Sequence, residues 1–225
     1  MTDTPATARK RGRPAAHERD ARRDEILRAA TTTFLAHGYS ATTLDQIATA
    51  AQVTKRTVYT YVGDKAAVFT AVVDQLHRDV IAQGAPVNQT GHDADQTPST
   101  TLLDLCTRIV DTLHSDHGTG LHRLVIAEAP GFPDLAATFY ATGPERYVAA
   151  LADALRARGT STDGALSPGG APVGTATAES LFGLLLGEAH RRRLLGLTPA
   201  PSAEQARAHA QGALDVLGLG EVAST

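Results

Sequence analysis

The sequence predicts an all-helical fold: a small N-terminal helix-turn-helix unit followed by a larger helical domain. Three observations carry that expectation. Apolar residues recur at helical spacing in almost every segment, and none alternates with the period of two that marks a strand. Capping signals at Thr43 (with Gln46) and at Thr54 bracket two very short helices. Two stretches of loop composition, "GAPVNQTGHDADQTPS" at 84–99 and "GTSTDGALSPGGAPVG" at 159–174, separate blocks of helix.

The elements follow in order. Residues 20–37 place Ile26, Leu27, Ala30 and Phe34 on one face, and Gly38 stops the helix. Thr43 and Gln46 form a capping box that starts a helix over 44–51, with Leu44, Ile47 and Ala48 inward. A turn at 51–53 leads to Thr54, which caps a second short helix over Lys55–Tyr61. Asp64 caps a long helix reaching to about Gln83. Beyond the linker, helices are expected near 100–116, 119–129, 133–158, 175–195 and 202–218.

With 225 residues, 42% of them hydrophobic, the chain has ample material for a packed core in one or two domains. Its one cysteine, Cys106, excludes an intrachain disulfide and fits a reducing compartment. The first 14 residues are polar and basic, and the longest apolar run, "LFGLLLG", is too short to span a bilayer. A cytoplasmic location without membrane contact is therefore expected. Residues 1–83 hold 12 Lys and Arg against 9 Asp and Glu, whereas residues 84–225 hold 9 against 15. A basic first third on an acidic remainder points to a polyanion met by the first third alone.

The stretch "QVTKRTVYTYVGDK" names the surface. On a helix over 55–62, Val58 and Val62 share the inner face. Lys55, Arg56 and Thr57 form the first turn, where the helix dipole disfavours cations, so an external anion is expected there. Lys65 stands at the next helix start with the same conflict. Tyr59 and Tyr61 are two apart and point to opposite sides of the axis, as arms reaching both walls of a DNA major groove would.

The span from about residue 21 to 76, containing "TTLDQIATAAQVTKRTVYTYVGDK", resembles the DNA-binding domain of the tetracycline-repressor (TetR) family. That resemblance implies a dimeric all-helical regulator in which three N-terminal helices bind DNA and a larger domain dimerises and takes a small ligand. Matched by position, it places Lys55, Arg56, Thr57 and Thr60 at base-reading sites and Thr43, Tyr59, Tyr61 and Lys65 at phosphate sites. It implies residues 1–19 as a flexible basic arm, 20–63 as the helix-turn-helix domain and 64–225 as the ligand-binding and dimerisation domain. One departure is Gln52, where the family usually has glycine in the turn. A left-handed residue with a side chain costs roughly 1–2 kcal/mol there. In the arm, Arg9, Lys10, Arg11 and Arg13 flank a Gly-Arg-Pro core that can enter an A·T-rich minor groove or make only nonspecific contacts.

In the C-terminal half, residues 175–195 and 202–218 carry small and apolar side chains at helical spacing. Leu181, Gly183, Leu184 and Gly187 of the first and Ala210, Leu214 and Leu217 of the second are expected at a twofold four-helix interface. Phe132, Phe139, Tyr140, Tyr147 and Phe182 are candidates to line an apolar ligand cavity, with His122, Arg123, Glu128 and His190 as orienting polar groups. His114, His117 and His122 suggest a metal cluster, but no cysteine stands near them and solvated histidines fit better. The run "HRRRLLG" at a helix C-terminus is explained by the dipole alone. No nucleophile–base pattern and no phosphate-binding glycine loop occurs, so neither an enzyme nor a cofactor is expected. The expected partners are a palindromic double-stranded operator, an unidentified small-molecule effector and a second copy of the chain. The rival from another class is a small-molecule-binding or enzymatic helical domain with a vestigial helix-turn-helix.

Overall fold

The computed structural model describes residues 16–82, 98–158 and 173–220, and the described residues are helices and their connections, with no strand among them. Ten helices follow in order: α1 (Ala16–His37), α2 (Leu44–Ala50), α3 (Lys55–Tyr61), α4 (Lys65–Ala82), α5 (Pro98–His114), α6 (Asp116–Glu128), α7 (Pro133–Thr142), α8 (Pro144–Ala157), α9 (Val173–Leu194) and α10 (Ala203–Val216).

Two apolar cores organise them. The first gathers Ile26, Leu27, Ala30 and Phe34 of α1, Ile47 of α2, Val58 of α3 and Phe69 of α4, all fully buried. Burying each of the larger side chains stabilises the fold by about 1.5–3 kcal/mol. Leu121 and Val125 of α6 and Phe139 of α7 belong to the same core, so the three N-terminal helices rest directly on the larger domain. The second core joins Val80 near the end of α4 to α5, α8, α9 and α10. Packing therefore divides within α4, which runs from one core into the other.

Two expected helices are broken. Residues 133–158 form α7 and α8 rather than one helix, because Pro144 has no N–H to give and disfavours helical geometry at Gly143, which sits at φ −118° and ψ −90°. Helix α9 kinks at Gly187, whose φ of 50° and ψ of −153° are open essentially to glycine alone. At the kink the carbonyl of Leu185 accepts hydrogen bonds from two imidazoles, His114 Nε2 at 3.1 Å and His209 Nε2 at 2.9 Å. No described helix is long and apolar enough to cross a membrane.

Candidate nucleic-acid interface and effector region

The turn between α2 and α3 is set by its caps. Thr43 accepts from the Gln46 amide while the Gln46 side chain accepts from the Thr43 amide, closing the expected box. At the other end Gln52 N–H donates to Thr49 O and Val53 N–H to Ala48 O, the paired bonds that end a helix on a left-handed residue. That residue is Gln52, at φ 54°, the one non-glycine with positive φ among the described residues. Thr54 then caps α3 by accepting from the Thr57 amide at 3.2 Å.

Val58 is fully buried, and Tyr61 and Val62 lean on the same core from the next turn. Lys55, Arg56, Tyr59 and Thr60 are left exposed, with Tyr59 52% accessible. Lys55 forms an ion pair with Asp45 of α2 at 2.9 Å, whereas Arg56 has no ion pair with any described residue. Thr57 is half-buried, its hydroxyl bonded to that of Thr54 at 2.8 Å, and Thr60 Oγ1 donates back to Arg56 O. Tyr61 does not project as a second arm: it follows Val58 by three residues, so it shares the inward face, and the Arg19 guanidinium covers its ring at 5.9 Å. Two of the cations in conflict with a helix dipole, Lys55 and Lys65, find partners inside the chain. Lys65 Nζ donates to Tyr39 O at 3.0 Å and Ser40 O at 3.3 Å and lies 4.5 Å above the Tyr39 ring. Arg9, Lys10, Arg11 and Arg13 lie outside the described residues.

The loop from α1 to α2, which ends at Thr43, is held from the larger domain. Glu128, near the end of α6, accepts from the Ser40 amide at 3.0 Å and the Ser40 hydroxyl at 3.1 Å. Phe132 meets the Tyr39 ring edge-on at 5.1 Å. Burial is the first cause that raises the Tyr39 phenol above its ordinary range, with the Asp64 and Glu128 charges adding to it.

The nine residues expected to surround one ligand cavity do not converge. Glu128 and Phe132 serve the α1–α2 loop, as above. Arg123 caps α9, donating Nε to Leu194 O at 2.7 Å and Nη2 to Arg193 O. Tyr140 is exposed and, with Val148, Phe182 and Gly183, lines an open cleft of about 660 Å³ between α8 and α9. The remaining rings form a chain through the domain. His190 stacks on His122, His122 meets Phe139 at a tilt, and Phe139 meets His77, which bonds Tyr147 OH through Nδ1 at 2.6 Å; Tyr147 stacks on Phe182. His114 and His209 continue the chain beyond His190.

His114 is thus buried against a backbone carbonyl rather than solvated as expected, and its partner is 71 residues away. A carbonyl only accepts, so His114 and His209 both carry their proton on Nε2. His122 Nδ1 and His190 Nε2 are 3.0 Å apart, while His190 Nδ1 is buried with no hydrogen-bond partner among the described residues. An unpaired lone pair costs less than an unpaired N–H, which puts the His190 proton on Nε2, donating to His122. Burial disfavours the charged form at four of the rings: it pushes His190 down to about 3 and His114 and His77 to about 4, and it lowers His122. No group able to hold a metal occurs among the described residues. Arg193 plays the structural part expected of its run, binding His114 O, Thr198 O and Asp116 Oδ1 at 2.6–2.9 Å.

Of the residues expected at a dimer interface, Leu181, Ala210 and Leu214 are already buried in the second core of their own protomer, and Leu184 and Leu217 pack against its edge. Gly183 and Gly187 face open space, as does Gly212 of α10: a Cβ added there would meet nothing within 4 Å. The kink removes the continuous ridge that two glycines four apart would share on an unbroken helix.

A helix-turn-helix with a polar, solvent-facing second helix, seated on a helical domain of two cores, defines the chain as a DNA-binding transcription regulator. Comparison with known families agrees: residues 26–72 match the bacterial regulatory proteins of the tetR family, and residues 100–218 match the C-terminal domain of AefR-like transcriptional repressors. The chain belongs to the TetR family, whose members bind operator DNA and ligands and act as dimers. Among solved structures, a TetR-family regulator from Mesorhizobium loti is 26% identical, with 88% of this chain and 95% of that one covered and a TM-score of 0.66. The flavonoid-responsive regulator FrrA is 28% identical over 88% and 95% of the two chains, with a TM-score of 0.61. NalD of Pseudomonas aeruginosa, a secondary repressor of a multidrug efflux pump, shares the fold at 21% identity, 92% and 100% coverage and a TM-score of 0.56. The search of curated proteins returned no match.

Proposed function

We propose that the protein is a homodimeric, ligand-released repressor that acts in the cytoplasm on a palindromic operator. Residues 20–63 form the DNA-reading unit and residues 64–225 the effector-binding and dimerisation unit. The observation that carries this reading is the outer face of α3, where Lys55, Arg56, Tyr59 and Thr60 stand exposed over a buried Val58. Lys55, Arg56 and Thr60 read base edges, and Thr57 joins them once its hydroxyl leaves Thr54. Tyr59 and the α2 cap at Thr43 contact phosphate. Lys65 and Tyr61 support that surface from behind, and the basic arm adds phosphate contacts.

The match to AefR-like repressors supports repression, and the flavonoid response of FrrA supports a small-molecule effector. Release follows when an effector favours a spacing of the two recognition helices that no longer fits successive major grooves. Two helices are placed to carry that change. α4 bears His77 beside Tyr147 and Lys65 beside the α1–α2 loop, and α6 bears His122 in the ring chain and Glu128 on Ser40. The test is a gel shift with the DNA flanking the protein's own gene, using wild type and Arg56→Ala. Wild type gives a discrete complex that survives competitor DNA and Arg56→Ala does not. Equal binding by both proteins, or none by either, would favour a domain whose helix-turn-helix is vestigial.

A further inference from the structure

Within the exposed face of α3 the two first-turn cations are treated differently. Arg56 is free of any ion pair with a described residue, while Lys55 is held at 2.9 Å by Asp45, ten residues earlier and on the other helix of the motif. Both partners stay open to solvent, with side chains 49% and 68% accessible, so nothing buries or locks the pair. Nor is the pair needed to build α2: its N-terminus is closed by the Thr43–Gln46 box, and Asp45, in the first turn between those two residues, adds only a favourable dipole contact. Yet a carboxylate here is costly for DNA binding. It lies two residues from Thr43, at the helix end that phosphate would otherwise approach, and it neutralises one of the two cations presented by the recognition helix.

We propose that Asp45 is a specificity-determining residue: it holds Lys55 away from nonspecific phosphates and releases it only to base acceptors of the operator. This rests on the reading of α3 as the recognition helix. The physical logic is a competition. On random duplex, leaving Asp45 gains Lys55 only a phosphate, and the bare carboxylate is left near that same phosphate, so the exchange returns little. On an operator with a correctly placed guanine, Lys55 meets the O6 and N7 acceptors in the groove, which random sequence does not supply in register. Asp45 thereby subtracts about one cation from every wrong site and fewer from the right one, which raises the ratio between them at the expense of total affinity.

The experiment uses the full chain, a duplex selected from a random-sequence library by the wild-type protein, and an unselected random duplex. Affinity for each is measured by fluorescence anisotropy between about 50 and 200 mM salt. Asp45→Asn keeps the size of the side chain and leaves the capping box intact, and its thermal melt confirms folding. It is expected to steepen the salt dependence on random duplex by about one counterion and to raise affinity there about five- to tenfold near 0.1 M salt. The gain on the selected duplex is smaller, so the specificity ratio falls. Asp45→Glu keeps the charge and should restore the wild-type slope. In a Lys55→Gln background, Asp45→Asn should steepen the slope on random duplex by much less, because the cation it releases is gone and only the carboxylate's own repulsion is relieved. An unchanged random-duplex slope in the single variant overturns the proposal, as does a change that keeps its full size without Lys55. A wild-type protein that selects no sequence overturns the reading of α3 itself, and the proposal with it.

Discussion

Acid should destabilise this protein through its buried histidines. His77, His114 and His190 are buried, and burial holds them near 4, 4 and 3, against about 6.5 in the unfolded chain. A lowered histidine pKa means that the unfolded state takes up the proton first, so the stability these rings permit is complete above pH 6.5 and falls as pH drops toward their folded values. At pH 5 each unfolded imidazole gains about 2 kcal/mol by protonation, while the buried ring remains neutral and gains almost nothing. Because the loss is set by uptake in the unfolded chain, the three sites add although His114 and His190 are neighbours. The sum is roughly 6 kcal/mol, a large share of the ~5–15 kcal/mol that holds a typical domain. Asp74 works in a lower window. Its bond from Arg78, reinforced by Arg146, depresses its pKa, so its contribution is lost only below about pH 4. Urea unfolding followed by circular dichroism at fixed protein concentration, at pH 7, 6 and 5, measures the loss directly. Equal stability at pH 7 and 5 would refute the reasoning, as would imidazole resonances of these three residues titrating above pH 6.

Three further outcomes are expected. Lys55→Ala or Arg56→Ala should cost roughly 1–3 kcal/mol on a selected operator and relax base preference, whereas Tyr59→Phe should weaken all sequences alike; competition binding against single-base operator variants separates the two patterns. Gln52→Gly should stabilise the protein by about 0.5–1 kcal/mol in thermal unfolding, since relieving a left-handed side chain outweighs the extra backbone freedom glycine gives the unfolded chain. Glu128→Ala removes the acceptor for both Ser40 bonds, so the Ser40 amide should exchange hydrogen faster and operator affinity should fall while the melting curve shifts by little.

The DNA-facing half of the fold was legible because its signals are local. The Thr43–Gln46 box, the Thr54 cap and the spacing of Val58 and Val62 each act within one turn, whereas the strained residue of the turn, Gln52, is marked only by the resemblance to a family that usually has glycine there. The effector half was less legible because its decisive contacts are long-range. Nothing near His114 announces that Leu185 will receive it, and nothing near Glu128 announces Ser40, 88 residues earlier. Residue type alone therefore suggests a single cavity for aromatic and charged residues that the packing distributes among a loop clamp, a helix cap and a buried ring chain. The two helix breaks divide on the same principle. Pro144 is a local signal, a residue without an N–H placed inside an apolar helical repeat. The kink at Gly187 lies in its backbone angles and beside the imidazoles that donate to the Leu185 carbonyl, which a Gly-x-x-x-Gly spacing does not convey.

The central claim is that paired α3 helices read successive major grooves, and a hydroxyl-radical footprint on a selected operator tests it most directly. The account predicts two protected half-sites, centred one helical turn or a whole multiple of it (about 34–36 Å per turn) apart, both lost with Arg56→Ala. A single protected patch, a spacing that puts the two sites on opposite faces of the duplex, or a footprint that survives Arg56→Ala would contradict it.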